Sequence, residues 1–375
     1  MTPITPNIVE PPLIEDAALQ LYQLYDLGDS IDLVRARALL ATPRARTSPV
    51  MTRGGSIDMP QPPLVAALEA VTVTVGPLSL RGRLEARIYD LGIVAFRITL
   101  DLPAPLSWER ASDIVADVLA APQQIVDVLT PSLETLRRAI QSTIDRPNAT
   151  IRTEEYLALV IGRLGPGVPA ARLGAHPALL RAALGERRSL SDAAAALATT
   201  LSYYEDDLIL LTWSGAIVID PDPAAREDAT FLLEVANAQL LAFRSYDTRV
   251  ERDLAQIAPR LRGVGRLHWW ELGAATRFQH EIHSLIVDSV ETSARVENAL
   301  KVTEDVYWNR VYAAALVVLR LDVWRQGTAQ TLEALQQSAA LFADEAAAAR
   351  ALLLEALVIA LIAVELVVAI IGLRR

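Results

Sequence analysis

His280, Glu281 and His283 form the one cluster in the chain with ligand-like chemistry. Two imidazoles three residues apart lie close together on a helix and can share a divalent metal, with Glu281 or Glu271 as a further carboxylate ligand. The spacing is not the HExxH of metalloproteases, where a four-residue separation puts both rings on one face. The default expectation is therefore a pair of surface histidines on a solvated helix face, with a metal-dependent enzyme using His280 and His283 as the sharper alternative. Tyr203, Tyr204, Glu205, Asp206 and Asp207 form an acidic run that is expected to be a helix-to-strand junction facing water. Arg260, Arg262 and Arg266 could meet acidic lipid or RNA phosphates, although a solvated loop is the simpler expectation. The segment GRLGPGVPAARLG has neither the GxGxxG nor the GxxxxGK[ST] spacing of a nucleotide loop, and Trp269 and Trp270 are expected to be core or interface anchors. No catalytic motif is present, so no catalytic residue and no cofactor is expected.

The chain that must position these groups has 375 residues, 52% of them hydrophobic, and a net charge of −10. That composition excludes a mostly disordered protein. The acidic balance argues against broad nucleic-acid binding, because a phosphate-tracking surface normally carries a basic excess. There is no cysteine, which removes disulfides, thiolate metal sites and thiol nucleophiles. The N-terminus lacks the positive and apolar regions of a secretory signal, so the N-terminal domains are expected in the cytoplasm.

Residues 1–65 carry many prolines and are expected to be a loosely ordered segment with one helix over 14–40. From Val71 the pattern alternates through VTVTV, LSLRGRLEARIYD and GIVAFRITLDLP, broken at Gly76-Pro77 and Gly92, as in short antiparallel strands. Ser107 is placed to cap a helical stretch that continues past Pro122 towards Ile140. A strand is expected at 156–161, a helix from about Ser191, and then a hairpin, DLILLTWSGAIVIDP, turning at Ser214-Gly215. This order predicts an α+β domain over residues 66–222, with helices on one face of a small antiparallel sheet.

After Pro223 only helical periodicity remains. One helix is expected from Ala224 until Pro259 stops it, a second from Trp269 through Leu321, and a third from about Thr328 after Gly327, giving a long coiled-coil-like helical region over 223–350. In the third, Leu332, Leu335, Ala339, Phe342, Ala346, Ala349, Leu353, Ala356, Ala360, Ala363, Val367 and Ile370 recur three and four apart, as an a/d heptad seam does. Residues 351–373 form an apolar stretch of about the 20 residues that a bilayer crossing needs. They predict one C-terminal transmembrane helix, and hence a tail-anchored, single-pass protein of the cell membrane. Glu355 and Glu365 are about 80° apart around that helix and are costly in lipid unless protonated or paired. Ala356, Ala360 and Ala363 allow close helix approach on the other side. Both faces ask for protein neighbours, which predicts a homo-oligomer.

The segments YYEDDLILLTWSGAIVIDP, LLEVANAQLLAFRSYD and SARVENALKVTEDVYWNRVY, with the apolar C-terminal run, resemble the bacterial relatives of the sporulation or required-for-meiotic-nuclear-division proteins, a family defined by a domain of unknown function. The resemblance covers residues from about 85 to the end. It implies an α+β domain, a helical hairpin, a C-terminal membrane anchor and a scaffolding role, and it supplies no catalytic residues. Taken together, the expectation is a membrane-anchored, oligomeric, non-enzymatic scaffold or tether. Its partners are the lipid bilayer, further copies of itself and an unidentified protein. A translation-associated factor contacting RNA stands as another alternative.

Overall fold

The computed structural model describes residues 10–40, 46–47, 57–58, 61–174, 176–196, 198–262, 301–302 and 305–373, with isolated positions between 283 and 296. The chain divides into two compact units: residues 1–245 with 295–323, and residues 246–294 with 324–375.

The first unit is organised by a ten-stranded sheet. In chain order its first half holds β1 (Ile14–Asp26), β2 (Ser30–Ile31), α1 (Leu33–Leu39), β3 (Arg46–Thr47), β4 (Ile57–Asp58), β5 (Leu64–Ala67), β6 (Val71–Val75), β7 (Leu78–Ile88) and β8 (Ile93–Asp101). Two helices, α2 (Trp108–Leu119) and α3 (Pro122–Ile140), lead to β9 (Ile144–Asp145) and β10 (Arg152–Leu164). Then come α4 (Pro177–Leu184), α5 (Asp192–Ala195), β11 (Thr199–Leu201), β12 (Leu208–Leu211), β13 (Gly215–Ile219) and the long helix α6 (Pro223–Arg262). The chain continues through β14 (Lys301–Val302), α7 (Val306–Val318) and α8 (Leu321–Leu373). Sheet order is β11-β12-β13-β10-β1-β8-β7-β5-β3. The outer edge of β7 is shared, with β6 pairing its first half and β5 its second.

β1 is a central strand, antiparallel to β8 on one side and β10 on the other. This overturns the helix expected over 14–40, of which only Leu33–Leu39 is helical. Leu19, Leu21 and Tyr25 point to one face of the sheet while Tyr22 and Leu24 point to the other, and all are buried. A strand buried on both faces reads as a continuous apolar run without alternation, which periodicity alone cannot tell from a helix. The expected small antiparallel sheet is corrected as well. β10 and β13 pair in parallel, Leu157 opposite Gly215 and Ile161 opposite Ile219, so the sheet is large and mixed. The hairpin joining β12 and β13 does turn at residues 212–215, where Gly215 accepts from Thr212 N–H.

Helices cover both faces rather than one. Leu84, Phe96, Ile98, Leu159 and Ile217 share a core with Ile114 and Val115 of α2, Leu129 and Leu136 of α3, and Leu179 and Leu180 of α4. Each such aliphatic or aromatic side chain contributes roughly 1.5–3 kcal/mol when removed from water. The opposite face receives α6, buried at nearly every position from Asp228 to Phe243. Local signals set the ends. Ser107 caps α2 by accepting from Arg110 N–H, and Asp305 caps α7 by accepting from Tyr307 and Trp308 N–H. Gly92, between β7 and β8, has φ +79°, and a Cβ there would sit 1.9 Å from the Gly28 carbonyl oxygen.

The helix expected from Trp269 through Leu321 is interrupted. Its first part lies outside the described residues, Lys301–Val302 is strand, and α7 begins only after its Asp305 cap. The next break falls at Arg320, with φ +52°, so α8 starts at Leu321 and runs through Gly327. α6 likewise continues past Pro259.

In the second unit α8 is exposed over most of residues 351–366. Among the described residues no helix is long and apolar enough to cross a membrane. The C-terminal transmembrane helix expected over 351–373, and the single-pass, cell-membrane location built on it, are therefore overturned. Glu355 and Glu365 cut the apolar part of α8 into runs shorter than the ~20 residues a bilayer needs. The seam side chains from Leu332 to Ala349 lie outside those described.

Candidate functional site

The sheet face under α6 carries charge where an apolar surface would be expected. Strand alternation puts Glu85 and Arg87 of β7, Arg97 of β8 and Gln20 and Tyr22 of β1 on that face, and register places Arg97 between Glu85 and Tyr22. Tyr89, just beyond β7, joins them. Glu227 and Glu234 are seven residues apart on α6, two turns along one stripe, and face the two arginines.

The contacts form a closed network. Arg87 donates from Nη1 to Glu234 Oε2 at 2.5 Å and from Nη2 to Glu227 Oε1 at 2.6 Å. Tyr89 donates its hydroxyl proton to the other Glu234 oxygen, Oε1, at 2.7 Å. Arg97 donates from Nη1 to both oxygens of Glu227 at 2.8 Å and from Nη2 to Glu85. Tyr22 donates to Gln20 Oε1 at 2.5 Å. The Arg87 guanidinium also lies 5.4 Å from the centre of the Phe231 ring, within cation–π range.

Burial and charge act against each other here. Burial alone would lower the pKa of Arg87 and Arg97, but for Arg87 the Glu234 carboxylate, and for Arg97 the Glu227, Glu234 and Glu85 carboxylates, outweigh it, and both stay charged. For Glu227 burial pushes upward, yet Arg97 and Arg87 hold it below its ordinary range. Burial raises Tyr89 and Tyr22, so both hydroxyls remain protonated donors. Every carboxylate of the network faces a guanidinium or hydroxyl donor. The arrangement clamps α6 to the sheet, with Glu234 fully buried and Glu227 and Glu85 partly exposed at its rim.

Only some of the residues singled out by sequence lie among those described. His283 is exposed on a helical segment, while His280, Arg266, Trp269 and Trp270 lie outside the described residues. Among the described residues no group of three or more His, Asp or Glu side chains is arranged to hold a metal ion. Glu355, Ala356, Ala360, Ala363 and Glu365 are exposed on α8. The acidic run is the β11–β12 turn. Asp207, buried at its base, accepts from Tyr203 N–H at 2.7 Å and Tyr204 N–H at 3.1 Å, and Tyr203 packs on Tyr204 and Tyr307. The Gly-rich GRLGPGVP begins within the last three residues of β10 and is tied back by Gly165 N–H donating to the Leu13 carbonyl oxygen. A cavity of about 930 Å³ between α1, β2 and β9 is lined by Asp32, Arg35, Asp90 and Asp145, of which Asp32 is already committed to capping α1.

The sequence reasoning missed the ion network. Its signal was present: single charges inside otherwise apolar strands, in EARIYD and AFRIT, and two glutamates seven apart in a helix whose neighbours are Phe, Leu and Val.

Fold and site together define an α+β protein built on a large mixed sheet, with a central helix pinned to it by buried ion pairs. The family model described as "Uncharacterized protein MJ0711, N-terminal domain" matches residues 16–225, more than half of the chain, and the chain belongs to that family. Uncharacterized protein MJ0711 of Methanocaldococcus jannaschii is 21% identical over 175 residues, which cover 46% of this chain and 52% of that protein. The chain thus spans about half the length of the curated relative it matches. No solved structure matches. This membership replaces the expected one in the sporulation and meiotic-nuclear-division family. The match runs from β1 to the first turn of α6, so Arg87 and Arg97 lie inside it and Glu227 and Glu234 just beyond.

Proposed function

We propose that the protein is a non-enzymatic, oligomeric scaffold, in which a rigid α+β domain recognises a partner protein and α8 joins copies of the chain. One observation carries this. Leu352, Leu354, Leu357, Val358, Ile359, Leu361, Ile362, Val364 and Leu366 are all between 56% and 67% exposed on one helix. An apolar surface of that extent marks an interaction site. The buried ion network supports the same reading, because it spends its charges on holding α6 in place. Light scattering on the full-length chain tests the proposal. It predicts a mass of at least two chains, reduced to one by Leu354→Asp with Leu361→Asp; a monomeric parent protein would refute it.

A further inference from the structure

Charges on α8 are placed unevenly around the helix. At 3.6 residues per turn, Leu354, Leu357, Val358, Leu361 and Val364 fall within a sector about 120° wide. Arg350 and Glu365 lie in the same sector, one at each end, about 22 Å apart along the axis. Glu355 lies outside it, about 140° around from Arg350. All eight side chains are exposed. The sector is thus an apolar stripe with a cation at one end and an anion at the other.

Resting on the oligomeric reading, we infer that this stripe pairs with the same stripe of a second copy in antiparallel orientation. A two-fold axis between residues 357 and 358 sets Leu354 opposite Leu361 of the second copy and Leu357 opposite its Val358. It also sets Arg350 opposite the other copy's Glu365, and by symmetry the pair is made twice. A parallel arrangement brings Arg350 against Arg350 and Glu365 against Glu365, so charge complementarity selects the antiparallel one. Opposed helix dipoles favour the same choice. Arg350 already makes a contact within its own chain, and the second copy's carboxylate adds to it. Glu355 stays in solvent.

The absence of cysteine from the full chain makes the test direct. Leu354→Cys and Leu361→Cys are made separately in the full-length protein, and each is oxidised alone and after mixing with the other. In the antiparallel pair residue 354 lies beside residue 361 of the second copy. Residue 354 is about 10 Å from its own equivalent, beyond the ~7 Å that a disulfide spans. Disulfide-linked dimer is expected in the mixture at fivefold or more over either variant alone. Equal cross-linking of each variant with itself overturns the inference in favour of parallel pairing. An oligomeric mass without cross-linking in any sample overturns it while leaving the scaffold reading intact. A monomeric mass, with or without lipid or another protein bound, overturns both. As a second readout, Arg350→Glu weakens dimerisation by roughly tenfold and adding Glu365→Arg restores it; a double variant no tighter than the single one overturns the pairing.

Discussion

Arg87 and Glu234, 147 residues apart in the chain, meet at 2.5 Å across the interface between sheet and α6, and neither side chain is more than 6% exposed. An ion pair so deeply buried gives little net stability over an apolar pair of the same size, because both charges were taken out of water. Losing one partner is another matter, since it strands the remaining charge.

Glu234→Ala is therefore expected to cost about 3–5 kcal/mol, while Arg87→Met combined with Glu234→Leu recovers most of that loss. Urea unfolding of Arg87→Met, Glu234→Leu and the double variant measures the coupling. Additive losses would mean that the pair does not hold the helix.

Glu227 should contribute to the acid limit of stability. Its folded pKa is below the ordinary value of 4.5, because Arg97 and Arg87 outweigh the upward push of burial. Its contribution is complete above pH 4.5 and is lost as pH falls through the depressed folded value. Replacement by Gln should flatten the stability curve on that acid limb. A parallel downward shift of the whole curve would assign the acid sensitivity to other carboxylates.

Tyr25 sets part of the alkaline limit. Burial, with the nearby Glu155 charge, pushes its hydroxyl from 10.0 up to about 12, and that hydroxyl has no hydrogen-bond partner among the described residues. With the folded value raised, its stabilising effect is full below pH 10 and disappears as pH climbs through about 12. Tyr25→Phe should leave neutral-pH stability equal or up to ~1 kcal/mol higher, and should shallow the alkaline slope. Thermal melts from pH 8 to 12 decide the matter.

Gly92 cannot take a side chain. A Cβ would meet the Gly28 carbonyl oxygen at 1.9 Å, and φ +79° adds backbone strain of about 1–2 kcal/mol. Gly92→Ala should lower the melting temperature by 10 °C or more, or abolish soluble expression. Normal behaviour would show that the β7–β8 turn can rearrange.

Asp305 starts α7. Because its carboxylate accepts from two backbone N–H groups, Asp305→Ala should cost about 1 kcal/mol while Asp305→Ser costs less. Chemical denaturation of both variants checks the order, and equal losses would point to the charge rather than the cap.

Much of the first unit was legible where one face of an element is wet. β6 and the start of β7 alternate between exposed and buried positions, and α2 has its Ser107 cap. Legibility failed where an element is buried on all sides. β1 has eight consecutive buried residues from Leu19 to Asp26, so its period of two is hidden. In the candidate site Arg87 and Arg97 were visible only as odd charges in apolar strands, because their partners come from a helix about 140 residues away. The C-terminal segment failed for another reason: its composition suited a bilayer, but Glu355 and Glu365 interrupt it.

Local chemistry, which is written residue by residue, determined the strand alternation after Val71, the cap at Ser107, the presence of a turn between β12 and β13 and the helices α6, α7 and α8. Tertiary structure alone decided that 14–26 is a central strand, that β10 and β13 run parallel, and which glutamates of α6 neutralise which arginines of the sheet. The physical reason is range. Caps and turns are settled by atoms a few residues apart, whereas strand partners and buried charge pairs are settled by closing loops of tens to more than a hundred residues, and no local pattern records those closures.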